Sequence, residues 1–204
     1  MKCSQCGVNR CKKEEGPMPK TCPMHDGALF EQADALLKAP ENAALFRAAA
    51  LVESEGYARW PRVREVFELM QKLSYTRLGL AFCTGLKQEA AVFTSMMEQH
   101  GLTVISCMCK MGARPKEDYG IKDQEKVRPG TFEVICNPIA QALYLNKQHT
   151  QYNVILGLCL GHDALFAKYA EAPTSTVVAK DRALANNPAG ALYCRYCESM
   201  IHGA

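Results

Sequence analysis

Four cysteines, Cys3, Cys6, Cys11 and Cys22, stand within the first 26 residues, and almost no large aliphatic side chain accompanies them. Such a segment has nothing to bury, so its ordering free energy must come from elsewhere. A metal centre held by four thiolates would supply it. The pattern Cys3-x2-Cys6-x4-Cys11-x10-Cys22-Pro23 suits either tetrahedral zinc(II) or a four-cysteine 4Fe-4S cluster, since both accept closely spaced thiolates. A cysteine followed by proline at the last ligand also occurs in ferredoxins, although the interior spacing here follows neither ferredoxin pattern.

The full chain of 204 residues carries eleven cysteines. An odd number argues against a complete disulfide framework and for metal ligands or reactive thiols. The opening Met1-Lys2-Cys3-Ser4-Gln5-Cys6 has no apolar core of a secretory signal, so the chain is expected in the reducing cytoplasm. Its best apolar run, Val154 to Gly161, is far short of the roughly 18 residues of a membrane helix, so no membrane association is expected. A net charge of +3, with 48% apolar and 22% charged residues, describes an ordinary globular chain and gives no reason to expect nucleic acid.

Periodicity divides the remainder. Residues 27–75 read as helices: Leu29, Phe30, Ala33, Leu36 and Leu37 recur at helical spacing, then Ala44 to Val52, then Pro61 to Leu73. From residue 76 onward the period changes. Leu78 to Cys83 is a short apolar run, Lys87 to His100 is amphipathic and closed by Gly101, and Leu102 to Cys107 is a second β-rich run. These form a βαβ unit. Residues 110–130 show no apolar period and read as a long loop. Phe132 to Ile135, Val154 to Cys159 and Val177 to Ala179 read as further strands. Helices are expected from Asn137-Pro138, from Asp163 and from Asn187-Pro188. The expected class is α/β, with a doubly wound, mostly parallel, Rossmann-like sheet in residues 76–204 behind the helices and a cysteine-rich metal-binding segment in residues 1–26.

A second group of cysteines depends on that sheet. Cys83, Cys109, Cys136 and Cys159 each fall at or just past the end of an expected strand, and the carboxyl ends of parallel strands share one edge, where open α/β sheets bind their ligands. Three of the four precede a helix, whose N-terminus stabilises thiolate. Gly85, Gly112 and Gly161 would let backbone approach a bound group. His162 and Asp163 follow Cys159 closely enough for an imidazole and its orienting carboxylate, or Asp163 simply complements the helix dipole. Asn137 is a candidate to bind a cofactor at the same edge, while capping ahead of Pro138 also accounts for it. Lys180-Asp181-Arg182 stands where it could meet an anionic ligand. Cys107, two residues before Cys109, is a spare ligand or core, and Cys194-x2-Cys197 on the last expected helix is weak as a motif.

Taken together, Cys3-x2-Cys6-x4-Cys11-x10-Cys22-Pro23, Ala81-Phe82-Cys83-x-Gly85-Leu86-x2-Glu89-Ala90, Cys109-Lys110-x-Gly112, Cys136-Asn137-Pro138-Ile139-x-Gln141-Ala142, Gly157-Leu158-Cys159-x-Gly161-His162-Asp163 and Lys180-Asp181-Arg182 resemble the prokaryotic metal-binding proteins grouped as domain of unknown function 1847. The resemblance covers nearly the whole chain. It implies a metal-binding protein of the kind found in anaerobic bacteria and archaea, and it brings no settled reaction. The expectation is therefore a cytoplasmic iron–sulfur redox protein or enzyme. Its N-terminal cluster would relay electrons to a working site built from Cys83, Cys109, Cys136 and Cys159 beside His162, serving a redox partner protein or a small-molecule substrate. The alternative is a non-catalytic zinc protein whose sheet edge binds a ligand or partner.

Overall fold

Strand β1, Arg77–Phe82, is apolar on both faces, with Leu78, Leu80 and Ala81 wholly buried. A strand of that composition belongs in the middle of a parallel sheet. The computed structural model, which describes residues 2–194, 197, 200 and 201, places it there. Strands β2 (Thr103–Met108), β3 (Tyr152–Leu156) and β4 (Thr174–Val178) complete a sheet of order β2-β1-β3-β4 in which every pairing is parallel. Ala81 stands between Cys107 on one neighbour and Ile155 on the other.

The helices follow from the connections. Helix α4 (Lys87–Gln99) carries the chain from β1 to β2, while α5 (Pro138–Lys147) carries it back past β1 to β3, and α6 (His162–Tyr169) carries it onward to β4. Right-handed crossovers running in opposite directions put their helices on opposite faces. On one face Ala81, Cys107 and Ile155 pack with Ala142 and Leu145 of α5 and Phe166 of α6. On the other, Phe93 of α4 and Val63 of helix α3 (Arg62–Lys72) border a groove with Leu156 and Val178. The expected doubly wound α/β class is the observed one. Its strand order matches the first four strands of the flavodoxin-like sheet, whose ligand crevice opens between β1 and β3.

Two compact units are distinguished, residues 1–55 and 56–204. The first holds three short turns of 3₁₀ helix, then α1 (Gly27–Lys38) and all but the last residue of α2 (Pro40–Gly56); the Asp26 carboxylate caps α1 by accepting from the Leu29 N–H at 3.1 Å. Helix α3, expected with the helices before it, belongs to the second unit. Its Val66 and Met70 are buried, Phe67 stacks on His100 at the end of α4, and Arg62 Nε donates to the Thr176 carbonyl of β4 at 2.7 Å.

Two expected elements differ. Phe132 to Ile135 is not a sheet strand; Val134 makes only an isolated antiparallel bridge to Pro115. Proline has no N–H with which to extend such a ladder. The loop before it is ordered by charge: Lys126, 8% exposed, binds Glu117 and Asp123 and donates to the Thr131 carbonyl, and Lys116 binds Glu133. The last helix, expected from Asn187-Pro188, is seen among the described residues as α7 (Gly190–Tyr193), with Cys194 just past it and helical backbone again at Met200 and Ile201. Among the described residues no helix is long and apolar enough to cross a membrane.

Candidate functional site

Cys83, Cys109 and Cys159 leave the carboxyl ends of β1, β2 and β3. Cys136 has no strand behind it and reaches the same edge by another route. The Asn137 N–H donates to the Cys109 carbonyl at 2.8 Å, which ties the start of α5 to the end of β2. The Cys136 and Cys109 sulfurs are consequently 3.8 Å apart. Cys109 also hydrogen-bonds the Cys83 thiol and receives the Thr84 N–H at 3.4 Å. Three of the four sheet-edge cysteines therefore form one connected group, with Cys109 in the middle.

This arrangement divides the protons unequally. Hydrogen bonding from Cys109 lowers Cys83 to a pKa of about 5 against the opposing effect of burial, helped by the Gly85 N–H and the Lys180 charge. It lowers Cys136 to about 5 as well, helped by Lys110 and by His162. Cys109 moves upward, because its own proton is the one both neighbours need. The arrangement thus favours thiolate on Cys83 and on Cys136 and retention of the proton on Cys109.

Cys159 is held separately: the Arg182 Nη2 donates to its sulfur at 2.9 Å, and the same guanidinium feels the Cys83 and Cys136 charges. Lys180, next in sequence but one, lies close to where a side chain on Gly85 or Gly157 would project. Lys110, Lys180 and Arg182 thus supply three positive charges around four sulfurs. Sequence reasoning treated Lys180-Asp181-Arg182 as a place for an anionic ligand and missed that the protein's own thiolates are its first partners. The available signal was the position of these cations immediately after strand ends.

His162 opens α6, and its N–H and that of Asp163 donate to the Cys159 carbonyl. The Asp163 carboxylate accepts from the Gly161 and Ala164 N–H groups, which accounts for it as a turn-forming residue. Gly161 turns the chain into α6 at φ +84°, a conformation glycine adopts without strain. Asn137 caps α5 by accepting from the Ala140 N–H at 2.9 Å, with Pro138 in the first turn. Cys107 is core: buried between the Leu80 and Gln141 carbonyls, it is pushed up to about 12 by desolvation.

In the N-terminal segment Cys3 and Cys11 are exposed and Cys6 and Cys22 half-buried. Local turns shape it: the Cys6 N–H donates to the Cys3 carbonyl, and the Arg10 guanidinium gathers the carbonyls of Lys13, Glu14 and Gly16. None of its three 3₁₀ turns buries a residue. Among the described residues no group of three or more Cys, His, Asp or Glu side chains closes around the position of an ion.

A family model described as "Protein of unknown function (DUF1847)" matches residues 22–177, a stretch that holds all four sheet-edge cysteines and, of the N-terminal four, Cys22 alone. The chain is also 37% identical over 196 residues, 96% of its own length and 95% of the relative's, to "Uncharacterized protein MJ0455" of Methanocaldococcus jannaschii.

Proposed function

Because the chain belongs to the DUF1847 family, which carries no assigned reaction, its role rests on its own chemistry, and we propose that it is a metal-binding redox protein with an iron–sulfur centre at the sheet edge. The observation that carries this reading is the connected group of Cys83, Cys109 and Cys136 at the carboxyl edge of the sheet, with Cys159 on the neighbouring loop. Thiolates are soft donors that select iron–sulfur clusters, zinc and copper(I) over hard cations, so the donor set fits. A centre bound there would supply one-electron transfer.

The remaining residues have roles that follow from their positions. Lys110, Lys180 and Arg182 offset the negative charge that four thiolates bring to one edge. The apolar face beneath, with Ala142, Leu145, Leu158 and Phe166, keeps water from that side of the sulfurs. His162, at the start of α6, lies close enough to Cys136 to act on it electrostatically. Residues 1–26 form the second centre, with Cys3, Cys6, Cys11 and Cys22 as its ligands and zinc as the alternative to a cluster. A reducing, cytoplasmic setting and a redox partner protein or a small molecule exchanging electrons at the edge complete the reading.

One measurement favours a zinc protein as the second reading. Two sulfurs each about 2.3 Å from one tetrahedral zinc ion stand about 3.8 Å apart, and that is the Cys109–Cys136 separation. Metal and acid-labile sulfide analysis of anaerobically purified protein separates the two. Iron with sulfide, and its loss in Cys109→Ser, supports the first reading. Zinc without sulfide supports the second, and a protein whose metal content is unaffected by Cys109→Ser and Cys136→Ser has no centre at the sheet edge.

A further inference from the structure

Neither centre uses Cys194 and Cys197, yet the structure treats these two residues as a pair. The Cys197 N–H donates to the Cys194 carbonyl at 3.0 Å. A carbonyl and an N–H paired in this way three residues apart keep their Cα atoms within about 7 Å, and a disulfide spans Cα separations of about 4.4–6.8 Å. The Cys194 side chain is close enough to Cys197 to raise its pKa. Their exposures are opposite: Cys194 is open to solvent and Cys197 is 6% exposed. The neighbouring Cys194, burial and the Asp181 charge each raise the Cys197 thiol above its ordinary value.

An exposed thiol for attack, with a shielded, protonated thiol three residues later to complete the exchange, is what dithiol–disulfide chemistry requires. We propose that Cys194 and Cys197 form a redox-active pair that exchanges two electrons with an external disulfide. The Cys194 thiolate attacks one sulfur of a disulfide R–S–S–R, forming Cys194–S–S–R and releasing RS⁻, which takes a proton. Cys197 then gives up its proton and attacks the Cys194 sulfur. The Cys194–Cys197 bond forms, the second RS⁻ leaves and is protonated. Two protein thiols have been oxidised and one disulfide reduced to two thiols.

The pair adjoins the sheet-edge site through one segment: Asp181, which faces Cys197, lies between Lys180 and Arg182, the partners of Cys83 and Cys159. The exchange itself stands whether or not the sheet edge holds metal.

The test equilibrates the full chain, anaerobically, in glutathione redox buffers of graded potential. Acid quenching, alkylation and peptide mapping follow. The peptide bearing both cysteines should become two hydrogens lighter, unalkylated, in the oxidising buffers, and should revert on reduction. Cys197→Ser should accumulate a glutathione adduct on Cys194, while Cys194→Ser should accumulate none on Cys197. Two outcomes overturn the proposal. One is a pair alkylated at every potential. The other is bound zinc that falls by an equivalent in Cys194→Ser, since that makes the pair metal ligands. Dichroism of both variants shows that they are folded.

Discussion

At the scale of single residues the thiols differ by environment, and the difference can be measured. In metal-free protein Cys83 and Cys136, lowered to about 5, are thiolates at neutrality, whereas Cys107, raised to about 12, is a buried thiol. Iodoacetamide at pH 7 should label Cys136 and Cys83 well ahead of Cys107, with little rate change between pH 6 and 8; a Cys107 rate comparable to theirs would contradict the assigned environments. The same shifts set a pH dependence of stability. The unfolded thiols bind protons up to about pH 9 and the two folded ones release them near 5, so their contribution is complete above 9, shrinks as pH falls and vanishes below 5. Cys109 acts oppositely, because its pKa is raised: its contribution is complete below about 9 and is lost above it. The group as a whole should stabilise most near pH 9, which urea melts of the metal-free protein across pH 5–10 would reveal. Glycines give a second residue-scale expectation. A Cβ on Gly157 would stand 2.1 Å from the Leu86 side chain at φ +70°, while one on Gly161, at φ +84°, meets nothing. Gly161→Ala should cost about 1 kcal/mol of backbone strain and Gly157→Ala about 2–3, since overpacking adds to it. Equal melts for the two variants would remove the packing argument.

Among the elements, the segment between β2 and α5 is ordered by ion pairs rather than by a core. Glu117, Asp123 and Glu133 are held below the usual carboxylate range, the first two chiefly by hydrogen bonds from Lys126 and the third by one from Lys116. Each lowered carboxylate stabilises the loop fully above its unfolded pKa and stops doing so as pH drops through its folded one. Lys126, raised by Glu117 and Asp123, contributes below its unfolded pKa and ceases to as pH climbs through the raised value. The loop should be most resistant to proteolysis in the broad range between these limits. Lys126→Met should expose Arg128 and Lys122 to trypsin while the sheet's amide exchange is unchanged; undiminished resistance would mean that the ion pairs do not order this loop. Little of this was legible in the sequence, because ion pairs between residues 117, 123, 126 and 133 leave no periodic trace. The βαβ unit was legible, since Leu78 to Phe82 and the face of α4 bury apolar side chains at regular intervals. Phe132 to Ile135 misled for the same reason: its apolar composition is that of a strand, but its ladder partner is Pro115.

At the scale of the whole molecule, the sheet-edge cysteines could be anticipated because parallel strands end on a common edge, a rule that needs no knowledge of side-chain contacts. What could not be anticipated was their grouping, with Cys136 drawn in by the Asn137–Cys109 hydrogen bond and Cys159 taken by Arg182. The two units also differ in what holds them. The second has the sheet and both helix layers; the first has exposed 3₁₀ turns and an α1 with no buried residue. Free energy available from burial is therefore small in residues 1–26, and metal binding to four thiolates, worth about 10–16 kcal/mol in small zinc domains, would dominate it. Removing metal with a chelator should open residues 1–26 to protease and leave the fragment beyond residue 56 intact with its melting cooperative. Cys6→Ser or Cys22→Ser should do the same while releasing only the N-terminal equivalent of metal. If either variant retains full metal content and the parent digestion pattern, those thiolates are not ligands, and the turns built on Arg10 and Cys3 must order the segment unaided.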